Sequence, residues 1–449
     1  MTKVIKLRRG LDINLEGKAE PRKLEVAPCK TYALQPDDFE GVKPKVVVKE
    51  GDKVKVGDAL FINKDYPEVK FASPVSGTVS LVERGDRRKL LSVRVDADEQ
   101  QEYVDFGVKD VNALDGEGVK NALLEAGLFG YINQLPYAIS TNPGTEPKAI
   151  FVSTLRDMPL ASRFEYEVRG QEEDFKAGLV ALSKIAHVYV GVGVCQVMAI
   201  EDIVGDAVEE IRFDGKCPAG NVGVQVNNIN PVNKGEVVWT VEPTAVLFFG
   251  RLFNTGKVNL TRTVAFAGSE MKERAYADIL VGHCIKPFVN LKNSDNARLI
   301  MGNPLTGKPT TPDAFLSAHT SEVTAIPEGS NADEMLGWIM PRLKQFSANR
   351  SYFSWLFNRR KEYNLDARVK GSERHMIMSG EYDKVLPMDI YGEYLIKAII
   401  AGDIDKQEQL GIYEVSPEDF AVAEFVDSSK LELQRIVREG LDTLRKENA

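Results

Sequence analysis

The first regular pattern along the chain is the run VKPKVVVKEGDKVKVGDALFINKDYPEVKFASPVSGTVSLV, from Val42 to Val82. Short β-branched segments alternate in it with polar residues, and E-G-D, V-G-D and V-S-G turns separate them. Glycine supplies the positive φ that such tight turns require. The pattern predicts a first domain of short paired strands, which we place at residues 1–110.

From Val111 onwards, helices and strands alternate. The segment NALLEAGLFG predicts a helix that ends at glycine, and KAIFVST and HVYVGVGV predict buried strands of a parallel sheet. The i, i+4, i+7 spacing between those strands predicts a helix with one apolar face, formed by Phe175, Leu179, Leu182 and Ile185. The string GVGVCQ lacks the third glycine of a G-x-G-x-x-G dinucleotide fingerprint, so we interpret it as buried strand. Residues 111–255 are therefore predicted to form an α/β domain.

A third unit is predicted at residues 256–328, and a helical fourth unit at residues 329–449. In the third unit, the strand-like segments LTRTVAFAG and ARLIMGNPLTG flank AYADILVGHCIKPFV, which has little helical periodicity. The fourth unit opens with NADEMLGWIMPRL, where Asn331 is suited to cap a helix and Pro341 to end it.

Two later helices are predicted in the fourth unit. Ser429 and Glu432 have the spacing of a capping box ahead of LELQRIVREGLDTL. Before it, an apolar stripe at helical spacing is expected to face the core, and it consists of Tyr391, Tyr394, Leu395, Ala398 and Ile399.

Composition limits the function classes. Hydrophobic residues make up 43% and charged residues 27% of the 449 positions, which is ordinary for a globular chain. The net charge of −9 argues against a nucleic-acid partner and against direct attraction to anionic lipid. The longest apolar candidate, VVWTVEPTAVLFFG, is interrupted by Glu242 and Pro243, and MTKVIKLRRG lacks the apolar core of a secretion signal. We therefore expect a cytoplasmic chain.

The cysteines do not predict a metal site. Cys29, Cys195, Cys217 and Cys284 are far apart and form no C-x-x-C pair, so we predict that they are small buried residues, with a reactive thiol as the alternative. His283 and Cys284 are adjacent, and adjacent residues of a strand point to opposite faces. We expect no catalytic residue and no metal ligand.

The stretch from His375 to Asp403 has the spacing of an iron–sulfur ferredoxin segment without its cysteines. A ferredoxin run reads C-x-x-C-x-x-C-x-x-x-C-P. When its proline is placed on Pro387, the four cysteine positions hold Met376, Ser379, Tyr382 and Leu386. In the later run AVAEFVDSSK, Ala423 and Asp427 stand where further cysteines would fall. None of these residues can hold a cubane cluster. The segment is either a ferredoxin scaffold without its cluster or an ordinary helical tail in which the proline spacing is a coincidence.

Together with KCPAGNVGVQVNNINPV and NTGKVNLTRTVAFAG, this stretch resembles the A subunit of the sodium-translocating NADH:quinone reductase. That family is related to the C subunit of the Rnf complex and to the flavin-carrying subunit of complex I. The resemblance implies a multidomain α/β protein. Its parts are a barrel-sandwich hybrid (lipoyl-like) domain, a degenerate Rossmann-like flavin-type domain, a β-grasp domain of the soluble-ligand-binding type and a helical domain on a cluster-less ferredoxin-like scaffold.

The resemblance also implies which groups the chain lacks. Lys64 lies in the hairpin where lipoyl carriers attach their cofactor, but NKDYPEV departs from the carrier pattern, so we expect a packing module. The segment YINQLPYAIS stands where flavin-binding relatives carry a glycine-rich loop, so we expect no FMN. Flavins and iron centres would belong to other subunits of the complex.

The function implied is that of a peripheral subunit on the cytoplasmic side of the bacterial inner membrane. The complex would oxidise NADH, reduce ubiquinone or a related quinone, and export sodium, with integral membrane subunits among the partners. The subunit's own tasks would be assembly and quinone binding. Two other classes stay open: an Rnf-like electron-transfer subunit that carries clusters or flavin, and a stand-alone ligand-binding module built on the β-grasp unit.

Two sites are hypotheses. A quinone in the abandoned flavin loop would stack on Phe129 and Tyr131 and accept hydrogen bonds from Asn133 or Gln134, the alternative being that this loop merely fills the old cavity. The aromatic and basic run RSYFSWLFNRRKEYN either anchors the core before a solvated turn or contacts a membrane subunit through its basic residues. Those basic residues are Arg359, Arg360 and Lys361.

Overall fold

A computed structural model describes residues 3–198, 200–330, 345–350, 352–357 and 362–448. The helix predicted between Asn331 and Pro341 lies outside the described residues, as does the basic run from Arg359 to Lys361.

The first domain consists of two small antiparallel sheets. Strand β1 (Lys3–Lys6) does not belong to either of them. The sheets have the orders β2-β8-β7-β4 and β3-β5-β6, and their inner faces share one core. The strands are β2 (Thr31–Leu34), β3 (Pro44–Val46), β4 (Lys53–Val54), β5 (Ala59–Asn63), β6 (Lys70–Ala72), β7 (Gly77–Arg84) and β8 (Leu90–Ala97).

The second domain is built on a seven-stranded sheet of order β1-β13-β12-β11-β14-β9-β10. The run from β1 to β14 is parallel, and β9 joins it antiparallel. The strands are β9 (Ile132–Leu135), β10 (Ile139–Ser140), β11 (Ile150–Ser153), β12 (Val188–Gly193), β13 (Val208–Asp214) and β14 (Val238–Val241). The helices are α1 (Gly116–Glu125), α2 (Phe164–Glu167), α3 (Glu172–Ser183), α4 (Val222–Ile229) and α5 (Pro243–Thr255).

The predicted pattern of the second domain is largely confirmed. In α3, Phe175, Leu179 and Leu182 are buried, while Ile185 lies beyond the helix end and is half-buried. The string GVGVCQ begins in β12, whose residues from Val190 to Gly193 are all buried. The interpretation as a buried strand is therefore correct for Gly191 to Gly193 only, because the strand ends there and Val194 and Cys195 are exposed.

The third unit is a five-stranded sheet of order β16-β15-β19-β17-β18. Strand β19 runs parallel to β15, and the other pairs are antiparallel. The strands are β15 (Thr261–Ala267), β16 (Ala275–Leu280), β17 (Ala297–Met301), β18 (Lys308–Pro309) and β19 (Glu322–Pro327).

The described part of the fourth unit is helical. Its core includes residues of α7, α8, α10 and α11 and also takes in Cys217 and Val224 of the second domain. The helices are α6 (Ser354–Phe357), α7 (Tyr382–Val385), α8 (Gly392–Ala401), α9 (Ile404–Gln409), α10 (Ala421–Val426) and α11 (Leu433–Glu447).

One prediction about these helices is partly wrong and another is wrong. In α8, Leu395 and Ala398 are buried and Ile399 is half-buried, as predicted, but Tyr391 and Tyr394 are 69% and 58% exposed. The capping box is also elsewhere. Ser429 and Glu432 do not form one, since α11 begins after Glu432 without a side-chain cap, and the observed box joins Ser416 and Asp419.

The segment from Lys3 to Leu24 contacts three units. Strand β1 pairs with β13 of the second domain, and the backbone N–H of Leu11 donates to the carbonyl of Cys217 at 2.8 Å. Further on, the N–H of Glu16 donates to Tyr363 of the fourth unit, and that of Leu24 donates to Tyr276 of the third. This segment therefore ties the units together.

The cysteine prediction is only partly right. Cys217 is buried and Cys29 and Cys284 are half-buried, but Cys195 is exposed. Among the described residues, no helix is long and apolar enough to cross a bilayer.

Candidate functional site: a cleft between four domains

A cleft of about 1150 Å³ opens where the four units meet. Its base lies at the carboxyl ends of β11 and β14, next to Ser153 and Val241, which is where open α/β sheets bind their ligands. Arg94 of the first domain, His319 of the third and Glu418 of the fourth complete the walls. Every unit thus contributes to the site, which we call the four-domain cleft.

An ionic network lies at the base of the cleft, and we call it the ionic junction. Ion pairs join Arg156, Glu167, Glu242 and Arg262 of the second and third units, and the nearby charge of Glu322 acts on Arg156. An oxygen of Glu242 lies 2.7 Å from a guanidinium nitrogen of Arg262 and 3.4 Å from one of Arg156. The side chain of Arg262 is fully buried. The junction therefore links the two units through charges that are largely buried, since the side chains of Arg156 and Glu242 are 13% and 21% exposed.

The electrostatics of the junction centre on Glu242. Burial acts to raise the pKa of this carboxyl, but Arg262, His319 and Arg156 outweigh it and hold the pKa well below its usual range. By contrast, burial raises the pKa of Glu167 and of Glu322. Glu242 directly follows the buried strand β14, so its place at a strand end was a signal in the sequence.

The cleft is acidic. Among the described residues, nine carboxylate side chains line it, against four Lys or Arg side chains and His319. The carboxylates are Asp37, Asp38, Glu40, Glu83, Asp157, Glu242, Asp313, Glu322 and Glu418. A negative lining in a confined space repels phosphate groups and favours neutral or cationic ligands.

The four predicted quinone contacts lie at different depths. Asn133 lines the cleft, whereas Gln134, its neighbour on β9, points to the other face, and its side-chain oxygen accepts a hydrogen bond from Thr141 at 3.0 Å. Phe129 is fully buried, with its ring edge-to-face against Trp239 at a centroid distance of 5.6 Å. Tyr131 is 2% exposed, and its ring lies 5.4 Å from that of His319, which lines the cleft.

The positions that match ferredoxin cysteines are occupied by ordinary core and surface residues. Leu386 and Ala423 are buried, Met376 is half-buried and Ser379 is exposed. The remaining two, Tyr382 and Asp427, are fully buried.

Tyr382 and Asp427 lie close together. Burial, and then the Asp427 carboxylate, raise the pKa of the Tyr382 hydroxyl. Asp427 accepts backbone hydrogen bonds from Ser429 at 3.1 Å and from Leu431 at 2.8 Å. The described residues contain no group of three or more side chains that could hold a metal ion.

Asp157 at the rim of the cleft carries a pH-dependent charge. It accepts a hydrogen bond from the backbone N–H of Gly220 at 2.9 Å, while its other oxygen is buried and has no hydrogen-bond partner in the described part of the chain. Burial, together with the nearby Asp12, raises its pKa from 3.8 to about 6.

We expect Asp157→Asn to stabilise the protein at pH 7 by about 2 kcal/mol and to have little effect at pH 4. The Asp157 carboxyl binds its proton more tightly in the folded state than in the unfolded state. The stability that this protonation contributes is therefore present below pH 4 and is lost as the pH rises through 6. Asparagine keeps the acceptor for Gly220 and removes the charge. Thermal melts from pH 4 to pH 8 would show this, and equal melting curves across that range would contradict it.

Comparisons with known proteins agree with this architecture. A family model described as the NqrA N-terminal barrel-sandwich hybrid domain matches residues 5–98, and another described as the NqrA second alpha/beta domain matches residues 114–258. A solved structure of an NAD+-reducing [NiFe]-hydrogenase in the H2-reduced state covers 47% of each chain at 10% identity, with a TM-score of 0.36. That likeness is too slight to bear on function.

The likeness to whole proteins is much closer. The A subunit of the Na(+)-translocating NADH-quinone reductase of Alcanivorax borkumensis is 34% identical over 450 residues, which cover 99% of this chain and 100% of that protein. The corresponding protein of Yersinia pestis is 32% identical and that of Saccharophagus degradans 33% identical, over the same shares of each chain. The predicted barrel-sandwich and α/β domains and the predicted resemblance are thus confirmed, and the chain belongs to the family of the A subunit of the Na(+)-translocating NADH-quinone reductase.

Proposed function

We propose that this chain is a peripheral subunit on the cytoplasmic side of the bacterial inner membrane, in a complex that couples NADH oxidation and ubiquinone reduction to sodium export. Relatives that it matches along 99% of its length are named for that reductase. In this proposal, integral membrane subunits are partners, and the flavins and iron centres belong to other subunits. The third unit is a β-grasp domain, and the fourth retains a ferredoxin-like scaffold without clusters.

The subunit's own ligand in this proposal is a quinone, held in the four-domain cleft. The single observation that carries the assignment is the acidic cleft at the carboxyl ends of the strands, which suits an uncharged ligand better than a flavin phosphate. Leu91, Val241 and Phe315 give it apolar surface, and Asn133 supplies an amide donor for a quinone carbonyl. The wall of the cleft around Asn133 is supported by three deeper residues, Phe129, Tyr131 and Gln134.

Calorimetry on the isolated chain with a short-chain ubiquinone tests this assignment. We expect saturable binding, and Asn133→Leu should weaken it about tenfold, because one hydrogen bond to the carbonyl is lost. Asn121→Leu is the matched control, since Asn121 is exposed on α1, away from the cleft. Absence of binding, or equal affinity of the Asn133 variant and the wild type, would contradict the assignment.

Co-expression tests the role in assembly. Affinity purification of the tagged chain from membranes should recover integral membrane subunits of the reductase in fixed proportion. A colourless isolated chain would agree with cofactors in other subunits, whereas visible absorption by flavin or iron–sulfur would favour the Rnf-like alternative. Failure to co-purify any membrane subunit would favour the stand-alone binding module.

A further inference from the structure

Helix α4 points its N-terminus at the four-domain cleft. Gly220, Asn221 and Val222, where the helix begins, all line the cleft next to the carboxyl end of β11. The first backbone N–H groups of a helix have no partner within the helix, and together with the helix dipole they attract an anion. In α/β proteins, this position commonly holds a phosphate group.

Here, the position is taken by a carboxylate from another unit of the chain. Asp419 is 1% exposed and belongs to the fourth unit, almost two hundred positions beyond α4. Its Oδ1 lies 3.3 Å from the side-chain nitrogen of Asn221, the residue directly before the first turn of α4. The backbone N–H and the hydroxyl of Ser416 both donate to Oδ2 at 2.8 Å.

The first turn of α4 is shaped for this carboxylate. A Cβ atom at Gly223 would lie 2.1 Å from Oδ2 of Asp419, so no residue with a side chain fits there while the carboxylate is in place. The side chain of Asn221 also donates to the backbone carbonyl of Glu418 at 2.9 Å, which fixes the approach of the loop that carries Asp419. Three donors and a glycine therefore surround one buried anion.

The surroundings of this carboxylate add further negative charge. Glu418 precedes Asp419 and lines the cleft, and Asp157 lies nearby with its hydrogen bond to Gly220. Burial raises the pKa of Asp419 to about 6, even though its hydrogen-bond donors act in the opposite direction. Burial, and then the neighbouring Asp419, raise the pKa of Glu418 to about 7, so above that pH a second anion at this end of the cleft would meet repulsion from all three carboxylates.

We infer that Asp419 is a specificity-determining residue, whose carboxylate occupies the anion position at the N-terminus of α4 and thereby excludes phosphorylated ligands from the cleft. The same contact clamps the fourth unit onto the α/β domain. The inference goes beyond the proposed function and does not depend on quinone binding, because it concerns which ligands the cleft refuses.

Chemical rescue tests this inference on the full-length chain. Asp419→Ala removes the carboxylate and leaves three donors around an empty space. We expect its melting temperature to fall in chloride buffer and to recover in sodium formate, with saturable dependence on formate concentration. Calorimetry should show inorganic phosphate binding to the variant and not to the wild type. Asp405→Ala is the control, because Asp405 is an exposed carboxylate on α9, and it should respond to neither anion.

A second variant separates charge from packing. Asp419→Asn keeps the shape but places an NH₂ group among donors, so we expect it to lose as much melting temperature as the alanine variant and to gain nothing from formate. If Asp419→Ala does not fold, the melting temperature of Asp419→Asn relative to the wild type still tests the inference. A melting temperature of Asp419→Asn equal to that of the wild type, or a folded Asp419→Ala that responds to neither formate nor phosphate, would overturn the inference.

Discussion

Arg262→Met is expected to lower the free energy of unfolding by about 3–5 kcal/mol, the usual cost of removing one partner of a buried ion pair. The guanidinium of Arg262 donates to Glu242 at 2.7 Å, to the hydroxyl of Ser321 at 2.7 Å and to the carbonyl of Ala318. Methionine fills much of the same volume but offers no hydrogen-bond donor. Glu242 would then keep its charge at the base of the cleft without its strongest partner.

Urea denaturation followed by circular dichroism would measure this loss. Lys23→Met is the matched control, because Lys23 forms an ion pair with Asp278 at 2.6 Å, but its side chain is 45% exposed. Exposed pairs contribute less than about 1 kcal/mol, so the control should change little. A loss below about 1 kcal/mol for Arg262→Met would show that Arg156 and His319 suffice to hold the Glu242 charge.

Gly250→Ala is expected to cost about 3 kcal/mol, although alanine is the better helix former by about 1 kcal/mol. Helices α3 and α5 approach so closely that a Cβ at Gly250 would lie 1.7 Å from the backbone carbonyl oxygen of Asp174. At the same crossing, a Cβ at Gly178 would lie 2.1 Å from the carbonyl oxygen of Val246. Backbone atoms cannot rotate away as a side chain can, so the two helices would have to separate.

The control for this prediction is Gly440→Ala in α11. A Cβ at Gly440 would meet only the side chain of Ile399, at 2.9 Å or more, and that side chain can adjust. Thermal melts of both variants should show a clear loss for Gly250→Ala and almost none for Gly440→Ala. Equal melting temperatures would mean that the α3 and α5 crossing tolerates an added methyl group.

Local patterns in the sequence were enough to predict much of the fold. The apolar face of α3 was predicted correctly from its helical periodicity, and the buried strand β12 from a continuous apolar run, because both patterns record which side chains are buried. Periodicity was not enough for α8. Its exposed tyrosines and buried leucine have similar hydrophobic character, so only the packing of neighbouring helices determined which side faces the core.

Site residues were harder to predict because they depend on register and on distant contacts. Asn133 lines the cleft and Gln134 does not, and which of the two faces it depends on how β9 is oriented in its sheet. The ionic junction was not predicted. Its charges are spread from Arg156 to Glu322, and a single charged residue has no local sign of its future partner.

The sequence by itself determined the α/β alternation, the family and the absence of cysteines at the ferredoxin-like positions, because these are properties of local residue type and spacing. The tertiary structure alone determined that four units enclose one acidic cleft, that Arg262 neutralises Glu242, and that Asp419 reaches the first turn of α4. The physical reason is distance along the chain. Contacts between residues twenty to two hundred positions apart arise only when the domains pack, and they leave no periodic pattern in the sequence.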